Sequence, residues 1–114
     1  MQQPTKQIRK LIREYGSIAH ERELSHALED LRTEFDRWQN GEISAFDLSD
    51  AIHEFHDGTA RDLWVRYNWG GRELALANAI ALGFFSKDEL PSELLASLSQ
   101  LIDYFETDQH AANE

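Results

Sequence analysis

The sequence predicts an all-α protein: a compact bundle of five or six helices, with a long second helix and a buried, alanine-rich fifth. Three observations lead there. Apolar residues recur at i, i+3, i+4 and i+7 in successive segments, the spacing of one face of an α-helix. Glycines fall where each run of that spacing loses its register. No segment sustains the period-two alternation of a half-buried strand. At 114 residues the chain is read as one domain, 1–114, with about 1–4 and 107–114 expected to fray.

Each predicted helix has its own signals. In the first, Ile8, Leu11, Ile12 and Tyr15 form one face after Pro4, and Gly16 is read as the stop. The second is assigned to about 18–39, where Leu24, Ala27, Leu28, Leu31, Phe35 and Trp38 make a narrow stripe ended by Asn40-Gly41. Ser44 and Asp47 open the third as a capping box, with Leu48, Ala51, Ile52 and Phe55 inward and Gly58 as its end. Thr59 and Asp62 are read as the cap of a fourth helix that buries Ala60, Leu63, Trp64 and Tyr67. Gly70-Gly71 break it. The fifth, near 71–82, is apolar on nearly every side, which places it at the centre. Gly83 closes it. The last starts near Pro91 and buries Leu94, Leu95, Leu98, Leu101, Ile102 and Phe105.

Composition narrows the functional classes. Apolar residues make up 41% and aromatics 11%, enough for a core despite a formal charge of −10. Without cysteine there are no disulfides, thiolate metal sites or thiol nucleophiles. The start MQQPTKQIRK has no apolar signal segment, and the run LALANAIALGFF is too short to span a bilayer. A cytoplasmic protein with no membrane partner is the expectation. Lys6, Arg9, Lys10 and Arg13 give the first 13 residues +4, leaving −14 for the rest. So acidic a body repels phosphate backbones, which makes nucleic acid an unfavourable partner, and attracts basic proteins.

Residues 36–47, DRWQNGEISAFD, resemble an EF-hand calcium loop. Such a loop takes oxygen ligands at positions 1, 3, 5, 7, 9 and 12 around a glycine at 6. Asp36, Asn40, Gly41, Ile43, Ser44 and Asp47 fit positions 1, 5, 6, 8, 9 and 12. Trp38 at position 3 has no oxygen, and Asp47 is one methylene short of the usual chelating glutamate. No second loop of the kind is present. The segment reads better as a helix-to-helix turn, with Trp38 the last core knob of helix two.

A second cluster, Asp50, His53, His56 and Asp57, lies in the stretch around IHEFHDG. Histidines three apart do not make the HExxH metalloprotease motif, whose ligands are four apart. The four residues form an alternative metal site, although His53 points about 160° from the helix's inner face at ~100° per residue. Glu23-x-x-His26 matches the ligand spacing of di-iron bundles but lies off the apolar stripe.

No phosphate-binding loop or other cofactor motif appears, no catalytic set is legible, and no catalytic activity is evident outside the alternative of a metalloenzyme built on the His53/His56 cluster. The segment 56–72 collects Arg61, Arg66, Trp69 and Arg72 beside Trp64 and Tyr67, the residue types enriched at binding hot spots. Arg61, Arg66, Trp69 and Arg72 are therefore the candidate partner-binding residues. Helices three and four also have the spacing of a helix-turn-helix, a lesser alternative that Asp62 and the surrounding acids oppose. The leading expectation is a small acidic protein acting through protein–protein contact, as adaptor, regulator or inhibitor, on a basic partner or by self-association.

Overall fold

The computed structural model describes residues 5–112, with side-chain surroundings through residue 109. It is helical throughout, with no strand among the described residues. The fraying expected for 1–4 and 113–114 lies outside the described residues. The rest of that expected C-terminal fray, 107–112, is helical instead.

The order is α1 (Lys6–Gln39), α2 (Ala45–Glu54), a π-helical segment (Phe55–Ala60), α3 (Arg61–Asn68), α4 (Arg72–Ala81), a 3₁₀ turn (Lys87–Glu89) and α5 (Ser92–Ala112). Glu54, Phe55, Ala60 and Arg61 all have right-handed helical dihedrals, so α2, the π segment and α3 run end to end. The described residues thus make four separate helices, not five or six.

Both corrections have one cause. A glycine stops a helix when it takes the left-handed conformation beyond the last turn. Gly41, Gly70 and Gly83 do so, with φ of 76°, 93° and 92°. Gly16 and Gly58 keep negative φ, and the chain stays helical through them. The predicted first and second helices are therefore one 34-residue rod. The predicted third and fourth are joined without a turn, which removes the helix-turn-helix. Thr59, read as a cap, lies inside the π segment. At ~1.5 Å per residue α1 is about 51 Å long, and it sets the longest dimension of the molecule, 55 Å.

That rod makes the molecule elongated rather than compact. The radius of gyration is 17.0 Å, against about 13 Å for a compact chain of this length. The core occupies one end. There α4 lies between α1 and α5 and buries Ala75, Leu76, Ala77, Ala79 and Ile80, as its uniformly apolar sequence predicts. Ile8, Leu11, Ile12 and Ala19 of α1 and Leu94, Leu98 and Ile102 of α5 close around it. Burying a leucine fully stabilises by roughly 1.5–3 kcal/mol, and Leu76, Leu94 and Leu98 are the largest side chains fully enclosed.

The α4–α5 connection is pinned to α1 by Arg22. Its guanidinium donates to the Phe84 carbonyl at 2.8 Å and to both Glu89 carboxylate oxygens at 2.8 and 3.2 Å, and it lies 4.6 Å from the Phe85 ring centre. Glu89 also accepts from the Ser86 backbone N–H at 2.8 Å, and these donors hold its carboxyl below the usual range, Arg22 most of all.

Candidate functional site: an acidic arm

Beyond Leu24 the second half of α1 leaves the core. Among the described residues, no hydrophobic side chain from 25 to 62 belongs to the buried cluster or is packed against it. Residues 25–39 instead run beside α2 as a two-helix arm, turned at Gly41. The turn is closed by the Asn40 N–H donating to the Asp36 carbonyl and the Glu42 N–H to the Arg37 carbonyl. At the start of α2 the capping box predicted from sequence is present. The Asp47 N–H donates to Ser44 Oγ at 3.0 Å, and the Ser44 N–H to Asp47 Oδ2 at 3.1 Å. Asp36 lies inside α1, and Asp47 is committed to the cap, so DRWQNGEISAFD is a helix-to-helix corner.

Two helices cannot enclose an apolar seam by themselves, and only Leu48 on the arm is buried. Leu28, Phe35, Trp38 and Ile52 are each about two-fifths exposed, and Phe46 is 83% exposed. This corrects the placement of Trp38 as a core knob: the stripe it ends has no third helix over it.

Between the two helices runs an open groove of about 530 Å³. Its floor is Ala27, Leu31, Ala51 and Phe55, and its rims carry Asp30, Glu34, Asp47, Asp50 and Glu54. Among the described residues no cationic side chain lines it. Glu34 pairs with Arg37 at 3.1 Å, while the carboxylates of Asp30, Asp50 and Glu54 have no hydrogen-bond or ion-pair partner among the described residues. From residue 24 to 60 there are nine Asp or Glu and two Arg. The site is an apolar channel in a strongly negative field.

The other candidates are scattered. Asp50 faces the groove, whereas His56 and Asp57 line a separate depression with Ala60, Arg61 and Trp64, and His53 is exposed. Among the described residues no three His, Asp or Glu side chains converge as a metal site. Glu23 accepts the Tyr67 hydroxyl hydrogen bond, and His26 stands edge-on to Phe84. Burial, and then the Glu23 carboxylate, push the Tyr67 phenol well above its ordinary value.

The four candidate partner-binding residues do not form one patch. Trp69 is 74% exposed and lies edge-on to Trp64, which lines the depression together with Arg61. Arg66 is exposed and lines a cleft facing α1 with Glu23, Asp30 and Asp62. Arg72 turns inward, donating Nε–H to the Tyr67 carbonyl at 2.9 Å across Gly16. The groove acids were missed as a set, although their spacing, Asp30/Glu34 and Asp47/Asp50/Glu54, flanks the two apolar stripes in the sequence.

No helix of the described residues is long and apolar enough to cross a membrane. Comparison with known proteins finds no matching family model, no matching curated protein and no matching solved structure.

Proposed function

We propose that the chain is a protein-interaction module whose α1–α2 arm receives a basic amphipathic helix of a partner protein. The observation that supports this reading is the groove itself: an apolar floor, five carboxylates on its rims, and no cation among its lining residues. A helix laid in that channel would cover Leu31 and Phe55 with its apolar face, as helix-in-groove recognition does. Its lysines and arginines would meet Asp30, Asp50 and Glu54, which form no ion pair among the described residues. Steering by the negative arm speeds encounter and selects basic over acidic partners. A second copy of the arm would bring like charges together, which disfavours arm-to-arm pairing.

The test is calorimetric. A designed helix of about 18 residues, roughly five turns, with one leucine face and lysine flanks, binds the protein with an affinity that falls as salt rises. The same peptide with glutamate flanks does not bind. Equal binding of the two peptides, or none of either, refutes the reading.

A further inference from the structure

Apart from the groove, a small cavity of about 50 Å³ lies where α1 meets the α3–α4 corner. It is far smaller than the roughly 300–1,000 Å³ that accepts a drug-sized ligand. Arg13, Ser17 and His20 line it from α1, Tyr67 and Asn68 from the end of α3, and Arg72 from the first turn of α4. The lining is polar and contains no carboxylate, in a chain with 21 acidic and 11 basic residues.

The donors are available. Arg13 makes no ion pair among the described residues, and Arg72 uses only its Nε–H, on the Tyr67 carbonyl. That bond fixes the guanidinium across Gly16 and leaves the two terminal nitrogens without a hydrogen-bond or ion-pair partner among the described residues. Ser17 Oγ has no hydrogen bond among the described residues. The His20 ring is stacked on Tyr67 at 5.1 Å and 9°, which holds its edge in place without using its nitrogens. Asn68 is the one lining amide already engaged, donating to the Trp64 carbonyl at 2.9 Å. Two guanidinium groups and a hydroxyl lining one cavity are the donor types that recognise a tetrahedral oxyanion. The positive end of the α4 dipole adds to the same field.

We infer that this cavity binds a single phosphate-class oxyanion, either as the free ion or as the head of a phosphate monoester.

Titration of the full chain with sodium phosphate, against sodium chloride at matched ionic strength, tests this by ¹H–¹⁵N NMR. Phosphate produces saturable shifts of the Ser17, Asn68 and Arg72 amides. Arg13→Gln weakens them about tenfold, the loss of one charge-assisted contact. Arg13 is exposed and makes no ion pair among the described residues, so the variant keeps its fold, which its circular dichroism verifies; Ser17→Ala gives a smaller loss in the same direction. A parallel titration with glycerol 3-phosphate separates the sources: tighter binding of the ester assigns the anion to an esterified group, tighter binding of phosphate to the free ion. Shifts that do not saturate, or that saturate equally in Arg13→Gln, overturn the inference.

Discussion

Arg72 occupies the space a side chain at residue 16 would need: a Cβ on Gly16 would stand 2.8 Å from Arg72 Cγ and 2.9 Å from its Cδ. The glycine that looked like a helix stop is the seat on which the α3–α4 corner rests. In a solvent-exposed helix Gly→Ala stabilises by about 1 kcal/mol. Gly16→Ala is instead expected to destabilise by about 1–3 kcal/mol, because Arg72 must leave the Tyr67 carbonyl. In an Arg72→Ala background the same substitution recovers its stabilising sign. Urea denaturation of the four proteins of this cycle measures the coupling.

The core and the arm respond differently to truncation. Leu94→Ala is expected to cost about 2–5 kcal/mol, since Leu94 is fully enclosed. Phe35→Ala, at a site two-fifths exposed, costs about 1 kcal/mol or less, in line with partial burial. Thermal melts of the two variants distinguish a core at one end from a core spread along α1, which would make the losses similar.

The Tyr67 phenol, raised by burial and by the Glu23 carboxylate, gives an alkaline signature. The folded state keeps its proton while the unfolded chain releases it near pH 10. Tyr67 therefore adds stability that is complete below about pH 10 and is lost as pH rises above it. Stability measured at pH 8 and pH 11 should fall more in the wild type than in Tyr67→Phe. An equal fall in both would show that Tyr67 ionises alike in the two states.

Glu89 has the opposite sign. Its folded value is held down, chiefly by Arg22, so its contribution is present above the unfolded value of about 4.3 and disappears as pH falls through the folded one. Glu89→Gln is expected to flatten the acid limb of the stability curve below about pH 4.5, and added salt to reduce the wild-type effect because the pair is exposed. Urea midpoints between pH 5 and 3 check this; parallel limbs would contradict it.

The fold was legible where chemistry is local. The Ser44–Asp47 capping box, the Gly70-Gly71 break and the buried α4 are each set by a few adjacent residues, and each appears in the structure. Gly16 and Gly58 were misread because a glycine ends a helix only where it takes a left-handed φ, and both keep negative φ; Gly58 does so with open space around it. At Gly16 the residue is small for a reason the local sequence does not show: Arg72, 56 residues along the chain, fills the space of its Cβ. The exposure of Trp38 was hidden for a related reason: its apolar stripe reads as core, and only the absence of a helix over the arm makes it surface. The acidity of the body was plain in the sequence, but not that five acids would rim one channel, since that requires pairing α1 with α2.

Whether the arm is the binding surface is tested most directly by hydrogen exchange with and without the lysine-flanked helix. The free protein should exchange quickly along the arm, where few apolar contacts protect it. Binding is expected to raise protection at residues 27–34 and 47–55 and to leave α4 unchanged, with the effect abolished in the double variant Asp50→Lys, Glu54→Lys. Protection that rises around Trp64 and Trp69 instead, or that survives charge reversal, would contradict the assignment of the groove.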